Sequence, residues 1–128
     1  SMASVDDIRL QEAYLEWDQQ EPQTIIVRPE KRNWNRANYQ MDLRYIEWMM
    51  QRAPRGDNPV VVRAHLQHMK VWHIDWPFFR VLIDGLKTRI KNKIGKIVVV
   101  QSTLPVWFVH WCLSNKIPHR VKEKMVWE

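Results

Sequence analysis

Between Lys96 and Gln101 the chain carries four consecutive β-branched residues, Ile97-Val98-Val99-Val100. Successive side chains of a strand point to opposite faces, so an unbroken apolar run has no side that it can offer to water. Such a strand belongs inside a sheet covered on both faces, and sheets of that kind are built of parallel strands joined by helical crossovers. The flanking segments supply the crossovers. Upstream, Pro77 opens a helical stripe of Phe79, Leu82, Ile83, Leu86 and Ile90, with Asp75 placed to cap it. Downstream, Pro105 to Asn115 reads as an aromatic-rich helix, with Ser102 or Thr103 available as its cap.

The rest of the chain extends the alternation. Residues 24–28 and 60–65 are β-branched runs bounded by turn residues, and a further short strand is expected over 124–127. Between the first two, Tyr39, Leu43, Ile46, Met50 and Ala53 recur at helical spacing over residues 38–53. Near the start, Ser4 followed by Asp6 and Asp7 looks like a helix N-terminus. Leu10, Tyr14 and Trp17 then share a face, which predicts a helix over 4–20 packed on the domain. The expectation is one domain over 1–128 with an α/β core over 24–127: a small, open, largely parallel sheet of about four strands with covering helices.

Composition narrows the setting. With 45% apolar residues and eight tryptophans the chain can bury a sizeable core, and no apolar run approaches a membrane span. Cys112 is the only cysteine, which excludes an internal disulfide and suits a reducing compartment. The expected location is cytoplasmic, with attachment at a membrane periphery as its companion. Charge is unevenly placed: residues 1–30 carry two basic and seven acidic side chains, whereas residues 86–128 carry nine and two. A basic C-terminal third fits an anionic partner or a solvated face.

The segments "NPVVVRAHLQHM", "NKIGKIVVV", "LPVWFVHW" and "IPHRVKEKMVW", spread over residues 58–127, together resemble a CRAL-TRIO lipid-binding domain. The resemblance implies a non-catalytic module that binds a phospholipid or other apolar ligand, or docks on an acidic membrane surface. The spacing in "VVVQSTLPVWFVHW" is closer to the BCH-type branch, which often serves in protein interaction, and STAS domains share the same alternation. A protein–protein interaction module without a lipid ligand is therefore the alternative.

Candidate residues follow. Trp107 and Trp111, four apart with Phe108 beside them, either pack the helix on the sheet or wall an acyl chain. His65 and His68 stand where a strand exits, the usual ligand side of a parallel sheet. They lack the cysteine pair or H-E-x-x-H that would mark zinc, so no metal is expected. Lys91, Lys93 and Lys96, with Arg120, Lys122 and Lys124, form the candidate anionic surface; the crossovers bring both segments towards one end of the sheet. There is no G-x-S-x-G elbow, and three glycines leave little room for a phosphate loop. Neither an enzyme nor a cofactor is expected. Without an RNP, KH or helix-turn-helix signature, nucleic acid is disfavoured as a partner.

Overall fold

The computed structural model describes residues 14–32, 39–70, 75–87, 92–100 and 103–128; the side chains of 78, 81–83, 86 and 87 lie outside that description. The described residues form five strands, the last four of them joined by helices. They are β1 (Leu15–Trp17), β2 (Thr24–Val27), α1 (Tyr39–Gln51), β3 (Val60–His65), α2 (Trp76–Lys87), β4 (Ile94–Val100), α3 (Val106–Asn115), the single turn α4 (His119–Lys122) and β5 (Met125–Trp127). The strands lie in chain order, β1-β2-β3-β4-β5. The β1–β2 pair is antiparallel and the other pairs are parallel. The expected α/β class is therefore the observed one, with five strands instead of four.

The added strand is β1, and it corrects the helix expected over 4–20. That expectation falls partly on residues 1–13, outside the described part, but Leu15–Trp17 are extended and pair with Val27–Ile25. The reversal that follows is built from local polar chemistry. The Asp18 carboxylate accepts from the backbone N–H groups of Gln20 (2.8 Å) and Glu21 (3.3 Å). Those bonds hold its pKa below the ordinary value. Gln23 completes the turn with φ 58°, a left-handed conformation unusual for a side chain that large. Three hydrogen bonds hold it there: its Nε2 donates to the carbonyls of Gly56 and Asn58, and its Oε1 accepts from the Arg55 N–H.

Sequential parallel strands joined by right-handed crossovers place every crossover helix on the same side of the sheet. The packing agrees. Ile46 and Met50 of α1, Phe79 of α2 and Phe108 of α3 all face the side that carries Ile25, Val62, Ile97 and Val99. A hydrophobic core lies under α1, where Tyr45, Met41, Ile46, Met49 and Met50 close over Ile25, Val60 and Ile94 together with Tyr14 and Leu15. Val98, Val99 and Val100 are all buried, so both faces of central β4 are covered there, as their unbroken apolar run requires.

Gly95 lies inside β4 and not in the connector before it. Val60 pairs with Ile94 but Val61 pairs with Lys96, so Gly95 is the extra residue of a bulge. A Cβ at Gly95 would stand 2.8 Å from the Pro59 Cβ, a ring atom that cannot swing away. Gly95→Ala should therefore cost about 1–3 kcal/mol in urea unfolding, the usual penalty of overpacking.

Candidate functional site

Beneath the helices the sheet is incompletely filled. Alternate strand positions (Ile25 and Val27, Val62 and Ala64, Ile97 and Val99, Met125 and Trp127) form the floor of a cavity of about 350 Å³. Phe108, Val109, Cys112 and Leu113 form its roof from one face of α3, helped by Met50 and Phe79. Interiors are normally packed as densely as organic crystals, with few voids larger than a water molecule. This space is more than twice the ~150 Å³ apolar cavity that accepts a benzene ring. Its accessible wall is apolar throughout, so water inside would find no hydrogen-bonding partners.

The cavity reaches the carboxyl ends of the parallel strands, where a charged network borders it. Arg32, just after β2, has a side chain 1% exposed. Its Nη2 donates to the Asp42 carboxylate at 2.9 Å, and that carboxylate is 0% exposed. The Tyr14 hydroxyl donates to the same carboxylate at 2.7 Å. Arg32 Nη1 stands 3.6 Å from Asp75, whose oxygens accept from the Tyr39 hydroxyl at 3.2 Å. Burial, and then the Asp75 charge, push the Tyr39 phenol above its ordinary pKa, so it remains a donor. Arg32 and Asp75 thus border the cavity while their charges are directed to one another and to tyrosine hydroxyls. The sequence read Asp75 only as a helix cap.

Several expected site residues sit elsewhere. Phe108 is in the roof and buried, as either reading of that helix requires. Trp107 and Trp111 do neither of the two things expected of them. They lie on the outer side of α3, 67% and 42% exposed, because the helix commits its 108–109–112–113 face to the sheet. His65 is not in the cavity: Ala64 and Leu66 take the floor positions, and strand alternation sends His65 to the opposite face. His68 is exposed in the turn beyond β3 and does not line the cavity either. Thr103 does not cap α3; its hydroxyl donates to the carbonyls of Gln67 and Met69. Ser102 lies outside the described residues.

Of the candidate anionic surface, Lys91 lies outside the described residues. Lys93, Lys96 and Arg120 are exposed and Lys122 is half-buried. Lys124 departs from the expectation, because its Nζ donates to the Ile94 carbonyl at 2.8 Å and so staples β5 to β4. The two basic segments do gather at one end, the amino ends of β4 and β5. That is the end away from the charged network of Arg32 and Asp75.

His65 has a consequence for stability. Burial first, and then Arg28 and Arg63, lower its pKa from the ordinary 6.5, against smaller opposing effects of Glu30 and Asp18. The folded protein therefore holds His65 neutral at pH values where the unfolded chain binds a proton. Stability should fall as pH drops below 6.5, because the unfolded state then binds more protons. His65→Gln should flatten that part of a Tm-against-pH curve.

No described helix is long and apolar enough to cross a membrane. No protein-family model matches the chain, and no curated protein matches it.

Proposed function

We propose that this domain is a non-catalytic binding module for an apolar ligand, held in the cavity between the sheet and α3. The observation that carries the reading is the void itself. Ordinary interiors leave few gaps larger than a water molecule, whereas about 350 Å³ of apolar space lies between the sheet and the helices here. A ligand that fills the space takes that apolar wall out of contact with water. The apolar wall selects the part of the ligand that enters. With no polar atom facing the space, a hydrocarbon chain or fused apolar ring goes in, and any polar head stays outside. This agrees with the resemblance to CRAL-TRIO domains, whose ligands are lipids.

The test is organic extraction of the purified protein followed by mass spectrometry. A reproducible, stoichiometric lipid or other apolar compound is the expected result. Absence of any such compound, together with a stable protein partner, would reject this reading in favour of an interaction module.

A further inference from the structure

Apolar side chains that face outwards are unusual on a helix that packs on a sheet, yet α3 carries them on its outer side beside His110 and Ser114 and has only Phe108 fully buried. Its inner face roofs the cavity. Its outer face presents Val106 (74% exposed), Trp107 (67%) and Trp111 (42%). Trp76, at the start of α2 and 38% exposed, joins them edge-on to Trp111 at 5.6 Å and packs against Phe108 at 5.9 Å. Three partly exposed indoles thus form one patch anchored on a buried phenylalanine.

Among the described residues, cations edge this patch. Lys116 Nζ lies 5.3 Å from the centroid of the Trp111 ring, and Arg80 lines the groove between α2 and α3, as does the Asp84 carboxylate. We propose that this face docks on the surface of a phospholipid bilayer. Tryptophan is the side chain best suited to the boundary between hydrocarbon and headgroups. Lysine and arginine beside it can lay their stems along the indoles and reach the phosphates. A protein partner or a second copy would also cover indoles. The bilayer is favoured by the cations at the rim and by the wall that the patch shares with the cavity. Trp76 and Phe79 line both the cavity and the outer groove, so an apolar ligand leaving past them would pass into hydrocarbon and not into water. The purpose assigned to docking rests on the cavity reading; the docking itself is measured separately.

The basic residues Lys93 and Lys122 stand at the amino ends of β4 and β5, whereas α3 starts beyond the carboxyl end of β4. The two surfaces are therefore separable by mutation. Sedimentation with vesicles of phosphatidylcholine, and of phosphatidylcholine mixed with phosphatidylserine, is the experiment. Wild type should pellet with both, more strongly with the acidic mixture at low salt. Trp107→Ser with Trp111→Ser should weaken partitioning about tenfold or more with both compositions, because the apolar area is lost. Trp107→Ser alone, at the more exposed of the two positions, should keep a Tm near that of wild type and still weaken partitioning. Lys93→Gln with Lys122→Gln should stay within about twofold of wild type on phosphatidylcholine, where surface charge contributes little.

Wild type that remains in the supernatant with both vesicles overturns the proposal. So does a tryptophan double variant that pellets like wild type, or a wild-type dimer without vesicles that the same variant dissociates, which would assign the face to a second copy. Extraction reads the cavity and sedimentation reads the face, so either can fail while the other stands.

Discussion

Arg32→Met is expected to destabilise the protein by about 3–5 kcal/mol, the range for removing one partner of a buried ion pair. The guanidinium and the Asp42 carboxylate are 1% and 0% exposed and 2.9 Å apart. Methionine keeps much of the length of the arginine and none of its charge, so the loss reports an uncompensated carboxylate more than a void. The Tyr14 hydroxyl still donates to Asp42, but a neutral donor does not replace a guanidinium beside a fully buried carboxylate. Urea unfolding at neutral pH measures the effect. A second variant separates charge from packing. Arg32→Met with Asp42→Leu removes both buried charges and should recover part of the loss, because well-packed apolar pairs often match a buried ion pair in stability. A double variant no more stable than the single one would attribute the loss to shape. A single-variant loss below about 1 kcal/mol would put Arg32 in solvent.

Ala64→Leu should raise the stability of ligand-free protein and at the same time expel the ligand. Ala64 lies on the cavity floor between Val27 and Val99, its cross-strand partners on β2 and β4. Three added carbons buried in existing space contribute about 2 kcal/mol at ~0.8 kcal/mol each. If the space were already filled with side chains, the same substitution would cost about 1–3 kcal/mol through overpacking. The sign of the change in urea midpoint therefore reports whether the void exists, without knowledge of the ligand. Extraction of the same variant should yield at least about tenfold less apolar compound than wild type if the added leucine removes the stabilisation that filling the cavity would provide.

The parallel core was legible because its signals are strong and local. Val60–His65 carries a β-branched run and is β3; the helical spacing of Tyr39, Ile46 and Met50 is α1; Ile97 to Val100 is the covered centre of β4. What failed was β1. A three-residue strand offers only one full alternation, and Leu10, Tyr14 and Trp17 satisfy a helical spacing equally well. Pairing with β2 decided the matter, and its only sequence trace is the turn chemistry of Asp18 to Pro22.

The site was less legible than the fold. Phe108 was one of three aromatics that the sequence offered as core or wall, and of these three it alone lines the cavity. The network of Tyr14, Arg32, Tyr39, Asp42 and Asp75 could not. Its members come from distant stretches of chain, and each has an ordinary local role: turn, connector or first helical turn. Only the convergence of the carboxyl ends of β2 and β3 brings them together. The outward turn of Trp107 and Trp111 was hidden for a similar reason. A helix with large apolar side chains on both its inner and its outer side gives little periodicity from which to choose its buried face.

The order of the strands also bears on how the chain folds. Thr24 faces Val61, Val61 faces Lys96 and Ile97 faces Met125, separations of 37, 35 and 28 residues. No parallel pairing in the sheet joins one end of the chain to the other. The entropy lost on closing a loop grows only with the logarithm of its length, so the three closures are of nearly equal difficulty. Each completed β-α-β unit leaves an edge on which the next strand can add. A parallel sheet is ordinarily slow to assemble because its pairings are distant in sequence. Here growth can proceed one neighbour at a time, which puts the topology at the fast end for its class.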